Sequence, residues 1–246
     1  MKIINSARKY PIYYEQTLAS TNDTLKAMSR EVQSGCAIIA ARQTAGKGRL
    51  SRSFLSPEGG LYMSVLYRPE PERVPGLTAV AAVAVRRAIR EECGIDCMIK
   101  WPNDLICEGR KLCGILTETV WRDNRPDVII GIGVDLNAED FPEELRDKAV
   151  SVKQLTGEDT DALALAEKIL LELDGELITG KTDADALLAE YEALCLTVGR
   201  RITADGRYGT ALGIGKDYSL TVRFEDGSTE ALRFGEVSVR GVCGYV

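Results

Sequence analysis

Residues 98–119 read Met98-Ile99-Lys100-Trp101-Pro102-Asn103-Asp104-Leu105-Ile106-Cys107-Glu108-Gly109-Arg110-Lys111-Leu112-Cys113-Gly114-Ile115-Leu116-Thr117-Glu118-Thr119. Strand-like runs at Met98–Trp101, Leu105–Cys107 and Lys111–Thr119 follow in direct succession, and Glu108-Gly109 suits a tight hairpin turn. Further strands are expected at Ala37–Ala41, Leu61–Tyr67 and Val128–Val134. Helical patterns cover residues 20–34, 76–93, 160–178 and 183–195. Ser20 or Thr21 caps the first, with Leu25, Met28 and Val32 at helical spacing; the second starts after Pro75 and stops at Gly94. Hairpins, rather than strict βαβ alternation, make the class α+β, a mixed sheet packed by helices. From Thr197 the chain becomes short β-type runs punctuated by Asp205-Gly206, Gly209, Gly213, Gly215, Asp226-Gly227 and Gly235. A main domain over residues 1–196 followed by a small β-barrel over 197–246 is expected.

A chain of 246 residues suits one large domain with a small appendage. Hydrophobic residues at 45% and charged residues at 28% are ordinary globular values, so disorder and fibres are excluded. Lys+Arg 31 against Asp+Glu 37 leaves a net charge of −6, which argues against general polyanion binding. Histidine is absent, removing Ser-His and Cys-His catalytic arrangements and His-bearing metal sites; neither zinc nor haem is expected. The seven cysteines (36, 93, 97, 107, 113, 195 and 243) include no C-x-x-C pair and read as reduced, mostly buried small hydrophobes. No apolar run is long enough for a bilayer span, and the N-terminus lacks the apolar stretch of a signal peptide, so a cytoplasmic protein without membrane attachment is expected.

Three segments carry chemistry. In Gln43-Thr44-Ala45-Gly46-Lys47-Gly48-Arg49-Leu50-Ser51-Arg52, glycines let backbone N–H groups approach an anion and the cations can neutralise it; a solvated basic turn is the plainer reading. Trp101-Pro102 makes a rigid corner that could hold Asn103 and Asp104 toward a cation or a ribose. Lys111 opens an otherwise apolar strand, and Gly114 within it hints at close approach; a ligand-facing lysine and a solvated edge lysine fit equally well. Ile130-Gly131-Ile132-Gly133-Val134-Asp135-Leu136-Asn137 fails as a dinucleotide fingerprint because Leu136 holds the third glycine position. It reads either as a buried strand relieved of crowding or as a strand passing under a flat ligand.

The ordered set Ser20-Thr21-Asn22, Gly46-Lys47-Gly48-Arg49, Lys100-Trp101-Pro102-Asn103-Asp104, Lys111-Leu112-Cys113-Gly114-Ile115-Leu116 and Gly131-Ile132-Gly133-Val134-Asp135-Leu136-Asn137 resembles the biotin–protein ligases (biotin–acetyl-CoA-carboxylase ligases) along nearly the whole chain. The resemblance implies a catalytic domain like that of class II aminoacyl-tRNA synthetases, followed by an SH3-like barrel. It implies ATP and Mg²⁺, biotin as substrate, biotinyl-5′-AMP as intermediate, and a biotin carboxyl carrier lysine as acceptor. Lys111 and Arg49 are then the catalytic residues. Ser20, Thr21, Asn22, Gln43, Gly46, Lys47, Gly48, Arg49, Lys111, Gly114 and Gly131 would bind biotin. Arg49, Arg52, Phe54, Asn103, Asp104, Gly133, Asp135 and Asn137 would face the nucleotide, with Asp104 toward Mg²⁺.

Three positions depart from the family pattern. Ser51 replaces a loop glycine and would restrict closure if that position needs positive φ. Phe54 replaces a tryptophan and offers adenine less area. Asp135 replaces an asparagine and would repel phosphate unless offset. Some members repress transcription through an N-terminal winged helix; nineteen residues precede Ser20, and no direct DNA binding is expected. A homodimer is one arrangement the resemblance allows. Two other readings stay open: a lipoate or octanoate transferase with Cys113 as nucleophile, and a biotin binder without chemistry.

Overall fold

The computed structural model describes residues 1–4, 6–233, 235, 237–239 and 242–243; residues 234, 236, 240, 241 and 244–246 of the expected barrel lie outside the described residues. The strands of the first sheet are β1 (Lys2–Ile4), β2 (Ile12–Leu18), β3 (Ala37–Gln43), β4 (Leu61–Tyr67), β5 (Met98–Lys100), β6 (Asp104–Cys107), β7 (Arg110–Arg122) and β8 (Arg125–Val134). They form an eight-stranded sheet in the order β1-β2-β3-β4-β8-β7-β6-β5. Every pairing is antiparallel except β2 with β3. A parallel pair needs a crossover, and α1 (Thr21–Met28) supplies it.

The helix expected over residues 20–34 starts on the Ser20 cap but ends at Met28. The Ser29 hydroxyl donates to the Lys26 carbonyl, taking up an acceptor freed as the helical ladder ends. Strands β1 and β2 carry no clean alternation and add to the strands expected from the sequence. The alanine- and valine-rich α2 (Leu77–Cys93) runs as expected and stops at Gly94, whose φ of 68° only glycine adopts freely. After β8 comes the short α3 (Val152–Thr156), opened by a reciprocal Ser151/Gln154 capping box. The pattern over 160–178 resolves into α4 (Ala162–Asp174), begun by an Asp161 cap, and a π-turn at Gly175–Thr179; α5 (Ala184–Leu194) follows.

The two faces of the sheet are unequal. Leu61, Met63 and Val65 of β4, with Ile130 and Ile132 of β8, point into the main core together with α2 and α4. The opposite face carries a much smaller cluster, in which Leu25 of α1 meets Ile38, Leu66 and Ile129. Each fully buried aliphatic side chain contributes about 1.5–3 kcal/mol. The thick face therefore holds the fold, and the thin face is left available for chemistry.

The C-terminal strands β9 (Arg201–Ala204), β10 (Arg207–Ile214), β11 (Leu220–Phe224), β12 (Thr229–Leu232) and β13 (Val237–Val239) make a second, antiparallel sheet in the order β12-β11-β10-β9-β13, matching the expected small barrel. The Trp101 indole N–H donates to the Tyr218 carbonyl at 3.0 Å, fixing this sheet against the Trp101-Pro102 corner.

Candidate active site

Strand register builds the site on the thin face. Side chains paired across strands share a face. Tyr62, Gly133, Gly114 and Asp104 form one row across β4, β8, β7 and β6. Ser64, Gly131 and Leu116 form the next row, and Leu66, Ile129 and Glu118 a third. The glycines make a trough, and protein side chains lie in it. A Cβ at Gly131 would meet Asn22 Oδ1 at 2.2 Å, and one at Gly133 would meet the Phe54 ring at 2.6 Å. Gly114 lies under Lys111 Nζ, 2.9 Å from where its Cβ would be.

Lys111 reaches this face through a bulge. Odd-numbered β7 residues such as Cys113 and Ile115 point into the core, and simple alternation would send Lys111 there too. The β6–β7 register slips at Leu105/Ile106, where Leu105 pairs with Cys113 but Ile106 pairs with Lys111, leaving Leu112 unpaired. Such an extra residue re-aims its neighbours. Lys111 thus turns to the trough, with its ammonium 2.7 Å from the Asp104 carboxylate and 5.5 Å from the Phe54 ring centre. Burial works against its charge, but Asp104 outweighs that and raises its pKa. Asp135 also faces Lys111; burial pushes its carboxyl up to about 7, against the pull of the ammonium.

At the other end, Thr21 donates through N and Oγ1 to Gln43 Oε1, at 2.8 and 3.1 Å. Gln43 Nε2 donates to Ser56, which donates to the Phe54 carbonyl, so the base of the basic loop is tied to α1. The loop is held by Gly48 N–H to the Arg52 carbonyl, Phe54 N–H to the Gly46 carbonyl and an isolated bridge from Lys47 to Ser53. Leu50 and Ser51 both have positive φ, 52° and 60°, so the Ser51 position does need the conformation glycine would adopt without strain. Arg49 donates to Asn103 Oδ1 at 3.1 Å and to the Gly235 carbonyl at 2.7 Å, spanning from the loop to the connection between β12 and β13. Lys47 pairs with Asp23 at 2.7 Å.

Three hollows meet here. The first, about 480 Å³, runs from Ser20, Thr21, Asn22 and Gln43 to Lys47, Gly48, Arg49 and Lys111, over Gly114, Gly131 and Gly133. The second, about 970 Å³, is lined by Arg49, Arg52, Asn103, Asp104 and Lys148 among others. The third, about 1090 Å³ and largely apolar, takes in Tyr62, Asp135, Phe141, Pro142 and Leu145. Lys111 and Phe54 line all three.

Most of the expected residues therefore converge on these hollows, with two that do not. Asn137 faces none of these hollows: its amide donates to the Thr160 carbonyl and accepts from Thr160 N–H, at 3.0 and 2.8 Å, and so pins the loop before α4. Gly46 lies beneath the loop, where a Cβ would strike the Phe54 carbonyl at 2.4 Å, and is not a lining residue. Phe54, expected to stack on adenine, packs over Gly133 and edge-on to Tyr62, with ring centres 6.4 Å apart. Asp104 is paired with Lys111, and among the described residues no group of three or more His, Cys, Asp or Glu side chains could hold a metal ion. Magnesium commonly keeps several waters and takes one or two carboxylates together with substrate phosphates, so Asp104 and Asp135 could contribute at most part of such a shell. Missed from the sequence were Tyr62, Ser64 and Glu118; the polar Ser64 inside an otherwise apolar β4 was the available signal. Among the described residues, no helix is long and apolar enough to cross a membrane.

A model of the biotin/lipoate A/B protein ligase family matches residues 13–135. The bifunctional ligase/repressor BirA of Bacillus subtilis is 38% identical over 228 residues, covering 88% of this chain and 70% of that protein. The biotin–[acetyl-CoA-carboxylase] ligase of Mycobacterium tuberculosis is 32% identical over 211 residues, covering 82% of this chain and 77% of its own length. Among solved structures, the biotin protein ligase from Aquifex aeolicus in complex with biotin and ATP superposes with a TM-score of 0.82 at 31% identity, covering 93% of this chain and 98% of that one.

Proposed function

Because the chain belongs to the biotin/lipoate A/B protein ligase family and is a ligase, we propose that it activates biotin with ATP as biotinyl-5′-AMP and passes the biotinyl group to a lysine of a biotin carboxyl carrier protein. The observation that supports this most is the first hollow, with a neutral, amide- and hydroxyl-lined end at Thr21 and Gln43 and a cationic end at Lys111 and Arg49. A ureido ring needs paired donors and acceptors, and a carboxylate needs a cation. The hollow offers these at opposite ends, with Leu116 and Phe54 as apolar wall for the ring and chain between.

In the first step a biotin carboxylate oxygen attacks the α-phosphorus of ATP, and the bond to pyrophosphate breaks. Lys111 holds carboxylate and phosphate oxygens together and stabilises the charge that builds between them. Arg49 closes the basic loop over the mixed anhydride and keeps water away. In the second step the carrier lysine amine, having lost its proton, attacks the activated carbonyl; the carbonyl–phosphate bond breaks and AMP leaves. Magnesium belongs to the substrate and arrives on the triphosphate. The third hollow, with Tyr62 and Phe141, suits the adenine ring. The thioester reading is disfavoured: Cys113 is fully buried, and burial pushes its thiol far up, away from the thiolate a nucleophile must be.

Pyrophosphate release with ATP, Mg²⁺ and biotin, beside lipoate and octanoate as rival acids, tests the reading. Release with biotin alone supports it. Release with octanoate or lipoate instead overturns the substrate, and silence with all three, alongside calorimetric biotin binding, leaves a binder without chemistry.

A further inference from the structure

The Asn22 amide has one imposed orientation. Its Nδ2 donates to Glu118 Oε2 at 2.8 Å and to the Leu116 carbonyl at 3.3 Å, both acceptors only. Glu118 in turn is held by the Lys26 ammonium at 2.5 Å, and although burial opposes its charge, Lys26 and Asn22 keep its carboxyl below the usual range. A flipped Asn22 would set its oxygen against both of those oxygens. The Asn22 oxygen therefore faces the other way, over Gly131, where it accepts from Ser64 at 2.6 Å. Asn22 lines the first hollow beside Thr21 and Gln43, and Gln43 Oε1 is already engaged by two Thr21 donors.

We propose that Glu118, which does not line the hollow, is a positioning residue that fixes Asn22 as an acceptor at the neutral end of the hollow, where it selects a ligand ring bearing N–H donors. The proposal rests on the biotin-ligase reading, in which that ring is the ureido ring. An acid without N–H groups gains nothing from this oxygen, so the Lys26–Glu118–Asn22 relay is a specificity device as well as a brace.

The test exchanges the pair, Lys26→Glu with Glu118→Lys, in the full chain. The ion pair survives with its ends reversed, but Asn22 now meets a group that only donates and must turn its oxygen away from the hollow. Calorimetry with biotin is expected to show affinity about tenfold or more weaker, as losing a buried hydrogen bond and facing donor to donor implies. KM for biotin should rise with it, while KM for ATP and the melting temperature stay near wild type. Adding Asn22→Asp restores an acceptor-only group, and binding should recover by at least half of the lost factor. Binding by the exchanged pair within twofold of wild type, or no recovery with Asn22→Asp, overturns the proposal. If the exchanged pair does not fold, Glu118→Gln carries the test, because glutamine accepts either Asn22 orientation: biotin KM should rise about threefold or more, and an unchanged value overturns the idea. Wild type that binds no biotin at all would refute the ligase reading itself, a result separate from either of these.

Discussion

Replacing Asp135 by asparagine removes the carboxyl that burial pushes up to about 7 from an ordinary value of 3.8. Between those values the folded chain keeps a proton that the unfolded chain gives up. The Asp135 contribution to wild-type stability must therefore fall as pH rises from about 4 to about 7 and level off above, since this group holds more protons in the native state across that window. The gap is about three pKa units, a ceiling of about 4 kcal/mol at 1.36 kcal/mol per unit. Most of the range accessible to a urea titration lies between pH 5 and 8, where the same relation gives at most about 2.6 kcal/mol. Partial hydration of the group lowers that, so the expected gain of Asp135→Asn over wild type grows by about 1.5–2.5 kcal/mol from pH 5 to pH 8. Any hydrogen bond the new amide makes or loses shifts the difference equally at every pH, so the slope isolates the titration. Urea unfolding at pH 5, 6, 7 and 8, followed by both circular dichroism and tryptophan fluorescence to check for a single transition, measures it. A difference flat to within about 0.5 kcal/mol across that range would refute the claim that Asp135 is desolvated beside Lys111.

Three further outcomes are expected. Lys111→Ala should cut pyrophosphate release on the order of 10²–10³-fold while the chain stays folded, and wild-type release would dismiss its role. Ser51→Gly should relieve a left-handed residue and favour the ordered loop by about 0.5–1 kcal/mol, net of glycine's extra freedom. Tryptic cleavage after Arg49 and Arg52 should slow severalfold, and equal or faster cleavage would speak against strain there. Cys113→Ser should retain pyrophosphate release to within a few fold, because a buried thiol takes no part in the chemistry; complete loss in a folded variant would reopen the thioester route.

The local pattern made the central strands and α2 legible: β4 is an apolar run broken only by Ser64, and α2 ends on a glycine with positive φ. The weakly patterned β1 and β2 were not legible, because their partners are set by long-range pairing rather than by composition. Within the site, the glycine pairs and the lysine were visible, but the reason for each glycine was not. Gly131 is small because Asn22 lies on it, and Gly133 because Phe54 does. That requires knowing which loop folds over which strand, information a single strand does not contain. Lys111 shows the limit most clearly. Alternation alone sends it into the core with Cys113, and only the bulge at Leu112, fixed by pairing with β6, returns it to the trough.

Asp135 was the residue least compatible with nucleotide use, since a carboxylate beside phosphate repels it, and burial supplies the answer. Lys111 carries one positive charge and Asp104, 2.7 Å away, one negative charge. With Asp135 protonated the cluster is neutral; with Asp135 ionised it carries an extra negative charge, which under the ligase reading would face the phosphates. Under that reading the buried carboxyl should tolerate the nucleotide best below about pH 7 and resist it increasingly above. Under the ligase reading, KM for ATP in wild type should rise relative to Asp135→Asn between pH 6.5 and 8.5, by about threefold or more as one charge appears near the site. The ratio of the two proteins is the quantity to follow, because the titrations of ATP and biotin are common to both and cancel. A ratio independent of pH would mean that Asp135 lies too far from the phosphates to matter, and its departure from the family asparagine would then be neutral for binding.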